Sequence, residues 1–108
     1  MHINQVQAKQ STALTAFATI TNFDGLRMLK RLCKHFSHKV PAGWDEHQGY
    51  IEFAMGFCDM TTEYQQLNLR CGAKTQTELL EIIDCINTHF LRFATQADRT
   101  LTWDIKNS

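Results

Sequence analysis

At 108 residues, with 44% hydrophobic and 20% charged residues, the chain has material for one hydrophobic core and too little for two domains of ordinary size; disordered and fibrous classes are excluded. Eleven Lys and Arg balance eleven Asp and Glu. The overall positive charge that drives binding to a phosphate backbone or to anionic lipid is therefore absent, and neither nucleic acid nor a membrane is expected as a partner.

Residues 1–12 are polar and lack hydrophobic periodicity, so they are expected to form a flexible leader ahead of a single domain over residues 13–108. The start of the chain lacks the apolar run and cleavage site of a secretory signal, and no stretch approaches the ~20 apolar residues of a membrane span. Cys33, Cys58, Cys71 and Cys85 lie far apart, without a C-x-x-C pair or zinc-finger spacing. A cytoplasmic address with buried, reduced thiols is expected.

The first periodic segment is a strand: Leu14, Ala16, Ala18 and Ile20 alternate with Thr15, Phe17 and Thr19. Asn22 or Asp24 can cap the helix that follows, in which Leu26, Leu29, Cys33 and Phe36 share a face and which is expected to reach about His38. Pro41 stops it. Val40, Ala42 and Trp44 can then alternate inward along an edge strand running from about Lys39 to Asp45.

Asp45 to Gly49, DEHQG, is turn chemistry, after which Ile51 and Phe53 alternate with Tyr50 and Glu52 as a hairpin partner. Beyond Gly56, Cys58 and Met60 can face the core; beyond the polar break TEYQQ, Leu67, Leu69 and Cys71 repeat the pattern. Thr75 and Glu78 have capping-box spacing, and Leu79, Ile82, Ile83, Ile86, Phe90 and Phe93 form a long apolar stripe on a second helix. After TQADR, Leu101 and Trp103 read as a closing strand. The expected fold is an α+β two-layer sandwich in the order β-α-β-β-β-β-α-β, an antiparallel sheet with two helices on one face, similar in layout to TATA-binding-protein-like folds. Such a layout carries no function of its own.

Cys33, His35 and His38, with His47 nine residues further on, are the densest group of potential metal ligands, and imidazole and thiolate bind iron, zinc and copper. Helical geometry turns Cys33 inward, while His35 and His38 lie three apart on the outer side. His47 belongs to a turn about 20 Å away at ~3.3 Å per strand residue, and His35 and His38 alone leave a mononuclear site short of ligands unless Asp45, Glu46 or a second subunit contributes. The alternative is a helix C-terminus whose His and Lys side chains complement the dipole.

Arg27, Lys30, Arg31, Lys34 and His38 form a basic stripe that reads either as a solvated helix face or as a surface for phosphate or an acidic partner. Catalytic signals are sparse, with no G-x-S-x-G elbow and no phosphate-binding Gly-rich loop, so an enzyme is not the favoured reading. Asp45, Glu46 and His47 are the one compact acid/base group. The uncovered face of the sheet should carry Phe17, Tyr50, Phe57, Glu52, Asn68, Arg70 and Thr102. Three aromatics and an arginine there suit a homodimer contact or a ligand platform, against the alternative of a mixed β surface.

Taken together, LKRLCKHFSHKVP, DEHQGYIEF, GFCDM and ELLEIIDCINTHFLRFA before LTW resemble a bacterial family known as domain of unknown function 2218, over about residues 14–104. The most specific part is the helix end with His35, Phe36, His38 and Lys39, followed by the acidic turn with Gly49 and a strand. The resemblance implies a small bacterial cytosolic domain of unassigned activity whose relatives accompany siderophore-interacting or iron-uptake genes. His35, His38, Lys39, Asp45, His47, Gly49 and Cys58 match its pattern by position. The reading is a non-enzymatic binding or accessory protein acting as a homodimer or with a protein partner. Its contact surface is the helix end with Lys39 and Asp45, or the open face with Phe17, Tyr50 and Arg70. The alternative is an iron or other transition-metal binder using His35, His38 and His47.

Overall fold

The computed structural model describes residues 14–94 and 99–107; the leader expected over residues 1–12 and most of the polar break at residues 95–98 lie outside the described residues. Six strands and two helices follow the expected order. They are β1 Leu14–Thr21, α1 Gly25–Phe36, β2 Ala42–Trp44, β3 Gln48–Phe53, β4 Gly56–Glu63, β5 Gln66–Ala73, α2 Gln76–Phe93 and β6 Trp103–Asn107. The strands form one antiparallel sheet in the order β2-β3-β4-β5-β1-β6. α1 carries the chain from β1 to the far edge, four hairpin-connected strands, β2 to β5, walk back until β5 pairs with β1, and β6 closes on the other side of β1. No helix among the described residues is long and apolar enough to cross a membrane.

Both helices lie on one face of the sheet because alternation places most of the apolar strand residues there. Ala16, Ala18 and Ile20, then Leu67, Leu69 and Cys71, then Cys58 and Met60, and finally Ile51 meet Leu29, Leu32 and Phe36 of α1 and Leu79, Ile82, Ile86 and Phe90 of α2. The apolar face of α1 is wider than the four-residue stripe suggested: Met28 and Leu32 are also buried, while Leu26 is only half-buried.

Local chemistry sets the boundaries. Asp24 rather than Asn22 caps α1, its carboxylate accepting from the Arg27 amide at 3.1 Å. Asn22 instead takes a left-handed conformation, φ 53°, in the β1–α1 connection. α1 ends at Phe36, two residues short of His38. There the Ser37 amide donates to the Cys33 carbonyl and its hydroxyl donates to the Lys34 carbonyl at 2.7 Å, closing the last turn. The expected capping box opens α2, with Thr75 Oγ1 accepting from the Glu78 amide at 3.1 Å.

Two strand expectations need correction. β2 spans three residues instead of about seven, and Pro41, which has no N–H, sits beside this edge strand. Trp44 does turn to the helix side, opposite Gly49, but it lies past the end of the core and stays 40% exposed. Phe57 is on the open face as alternation requires, yet it is only 4% exposed; it stands opposite Gly72, and the Arg70 guanidinium lies 5.1 Å above its ring. The closing strand begins at Trp103, with Leu101 half-buried before it.

Candidate functional site

Antiparallel register turns the open face into cross-strand rows. One row runs Asp104, Phe17, Arg70, Asp59, Tyr50, Gly43 from β6 to β2, and the next runs Thr19, Asn68, Thr61, Gln48 from β1 to β3. Phe17 and Tyr50, 38% and 44% exposed, stand three strands apart, roughly 14 Å at ~4.8 Å per strand. Between them lies a groove of about 700 Å³.

Its floor is polar and internally bonded. Arg70 Nη1 meets Asp59 Oδ2 at 3.2 Å. Thr19 Oγ1 donates to Asn68 Oδ1 at 2.9 Å, Gln66 Nε2 donates to the same oxygen at 3.0 Å, and Asn68 Nδ2 reaches Thr61 Oγ1 at 3.4 Å. Pairing fixes the rotamers of side chains that would otherwise sample several in water, so the floor is organised before any ligand arrives.

Gly43 sets the position of one wall. A methyl group there would come 2.8 Å from Tyr50 Cε2, so the absence of a side chain lets the tyrosine ring lie back over the β2 strand and keeps the groove open. At the same end Asp45 also lines the groove, but its Oδ1 accepts from the His47 and Gln48 amides at 2.7 and 3.0 Å. Those two bonds hold the carboxyl below its ordinary value, led by the one from His47. The carboxylate thus builds the β2–β3 turn, and His47 is held in that turn through its backbone, its carbonyl accepting from the Thr62 amide at 2.9 Å.

The histidines meet in a different combination from the one expected. His35 packs on His89 of α2, ring centroids 4.6 Å apart, with Phe36 and Phe93 edge-on around the pair. His89 Nδ1–H donates to the Cys85 carbonyl at 2.8 Å, which fixes its tautomer. His38 and Lys39 are exposed beyond the end of α1. Among the described residues no three His, Cys, Asp or Glu side chains come close enough to hold one metal ion, so His35, His38 and His47 are not brought together within the chain.

Burial lowers the His35 pKa, and the charges of His89, Lys39, Arg92 and His38 lower it further. Surroundings of that sign disfavour a divalent cation. His89 was not singled out in the sequence, although Cys85, His89 and Phe93 recur every four residues along one flank of α2, and that spacing marks a helix contact.

Cys33, Cys58 and Cys71 are core thiols, whereas Cys85 is half-buried. Burial pushes Cys33 up to about 11, partly offset by a backbone hydrogen bond with Tyr50, and Cys58 is raised by its hydrogen bond with Cys71, its cross-strand partner, and then by burial. Thiols held protonated in this way are poor nucleophiles.

No curated protein matches this chain. Among solved structures, the NMR structure of PA4090 from Pseudomonas aeruginosa is similar, with a TM-score of 0.71 at 19% identity over 84% of this chain and 95% of that one. At that identity the likeness extends to the fold alone. The family described as an uncharacterized protein conserved in bacteria (DUF2218) matches residues 17–104, and so the α+β domain with its open sheet face belongs to that family.

Proposed function

We propose that this small bacterial domain is a non-enzymatic binding protein whose recognition surface is the open face of the sheet, and that it takes a neutral ligand with a planar ring. The observation that carries this is the groove between Phe17 and Tyr50 over the Arg70–Asp59 pair. Its volume falls in the ~300–1,000 Å³ range of small-molecule sites, and apolar walls with a few fixed polar groups are what such sites use. Because Arg70 is already charge-balanced by Asp59, an added carboxylate gains little there. A neutral amide or hydroxyl can bond to the donor and the acceptor together.

Self-association is a second reading, supported elsewhere. β6 pairs only with β1 among the described strands, and Ile105 on its helix side is exposed. The Trp103 indole donates to Asn87 Oδ1 at 2.9 Å, which ties β6 to the α2 stripe that also carries exposed Leu80 and Leu91. A second copy adding to that edge leaves the groove open.

Benzamide and nicotinamide, titrated into isotope-labelled protein, distinguish the readings. The proposal expects amide shifts grouped at Phe17, Tyr50, Asn68 and Arg70, weakened by Tyr50→Ser and by Arg70→Met. Shifts scattered over the surface, or unchanged in both variants, count against it. Sedimentation of wild type and Ile105→Glu reports on the dimer: a monomer at high micromolar concentration removes the second reading.

A further inference from the structure

The outer face of α1 holds a concentration of charge that the open-face reading does not use. Arg27, Lys30, Arg31 and Lys34 stand at i, i+3, i+4 and i+7, a run of about 10 Å at 1.5 Å per residue. None of the four makes an ion pair among the described residues, whereas Arg70 and Lys106 both do. Together with His35 and His38 they line a shallow depression of about 640 Å³ with no carboxylate among the described lining residues. Asp24, the nearest acid in sequence, is engaged in capping the helix. Like charges at these spacings repel, so the arrangement costs stability in the absence of a counter-charge.

The depression is also bordered by aromatic rings. Trp44 reaches it from β2, and Phe93 comes from the end of α2 with the Arg31 guanidinium 4.7 Å from its ring centroid. Stacking of that kind holds a guanidinium plane in place and leaves its edge donors free for an oxygen ligand.

We propose that this face of α1 binds a small oligophosphate anion, the chemistry shared by free polyphosphate and by nucleoside di- and triphosphates. Four positive charges along about 10 Å of helix match the three or four negative charges of a short phosphate chain, where one carboxylate would leave most of them uncompensated. The size is limited by the rest of the chain: the formal net charge is zero, so the attraction ends with the patch and a long polyanion gains nothing beyond it.

Trp44 provides the readout, since its indole borders the site. Tripolyphosphate and ATP, each without divalent metal and at low ionic strength, are titrated against wild type, against an Arg31→Gln, Lys34→Gln double variant, and against Lys106→Gln as a control on the far strand. Both anions are expected to change the Trp44 emission, saturably and with one ligand per chain. The double variant should weaken binding at least about tenfold and Lys106→Gln should not. ATP and tripolyphosphate of equal affinity identify free oligophosphate as the ligand type. ATP binding several-fold tighter, with the advantage removed by Trp44→Leu and read by calorimetry, identifies a nucleotide. No saturable binding at millimolar anion, full binding in the double variant, or tighter binding of a 20-base-pair duplex per site than of either anion would each overturn the proposal.

Discussion

The open sheet face and the outer face of α1 both carry arginine beside aromatic rings, but one has its charges paired and the other does not. On the sheet, Arg70 is bonded to Asp59 and stacked near Phe57, in a floor cross-linked through Asn68. On the helix, Arg27, Lys30, Arg31 and Lys34 face solvent without a carboxylate among the described lining residues. Pairing in advance makes a surface that reads shape and hydrogen bonding with little dependence on salt. Leaving charges unpaired makes one that reads net charge and is screened by salt. A chain with eleven charges of each sign has thus divided them unevenly between two surfaces.

Both surfaces rest on one core, and the largest effects come from disturbing it. Leu69→Ala, at a fully enclosed position under the groove, should cost about 2–5 kcal/mol in urea unfolding and weaken both surfaces together. Loss of one surface without the other in that variant would break the claim that they share a scaffold.

Two glycines on adjacent strands sharpen the contrast further. A methyl group at Gly49 points into the core, 2.7 Å from Cys33 Sγ and 3.1 Å from Leu29 Cδ2, so Gly49→Ala should cost about 1–3 kcal/mol. At Gly43 it meets only the edge of the half-exposed Tyr50 ring. Gly43→Ala should cost under about 1 kcal/mol and still swing the ring into the groove, so that benzamide binding falls while tripolyphosphate binding is unchanged.

Removing single charges should give smaller and unequal results on the two faces. Arg70→Met breaks a partly exposed pair and should lower stability by up to about 1 kcal/mol. Arg31→Met loses its stacking on Phe93 but relieves repulsion from its neighbours, and should stay within about 0.5 kcal/mol of wild type. Equal losses at both positions, measured by denaturant midpoints at constant slope, would remove the distinction between paired and unpaired surfaces.

The smallest effect is on pH. His35 has a folded pKa below its ordinary 6.5, so between those two values the unfolded chain binds more protons than the folded one. Stability should therefore fall as pH drops below about 6.5 and level off once the folded histidine is also protonated. His35→Gln should flatten that part of the curve, as read by thermal midpoints across the range. A steeper curve in the variant would contradict the assigned cause.

Much of this was legible in the sequence because it follows from short-range periodicity. Alternation in Leu14–Thr21 and Gln66–Ala73 placed Phe17 and Arg70 on one face, and the Thr75–Glu78 spacing marked the start of α2. What stayed hidden depends on register and on contacts between distant segments. That Phe17 shares a row with Tyr50 requires knowing that β2–β5 walk back to β1, and that Phe57 is sheltered requires Gly72 opposite it. The partner of His35 was missed for the same reason: His89 lies 54 positions away and meets it only because the two helices pack side by side.

The most direct test of the two-surface claim is one labelled sample titrated with benzamide and then with tripolyphosphate, at low salt and at about 0.3 M. Benzamide should shift Phe17, Tyr50, Asn68 and Arg70 at both salt concentrations. Tripolyphosphate should shift Arg27, Lys30, Arg31 and Lys34, and only at low salt. Two sets that overlap, or that respond to salt in the same way, would contradict it.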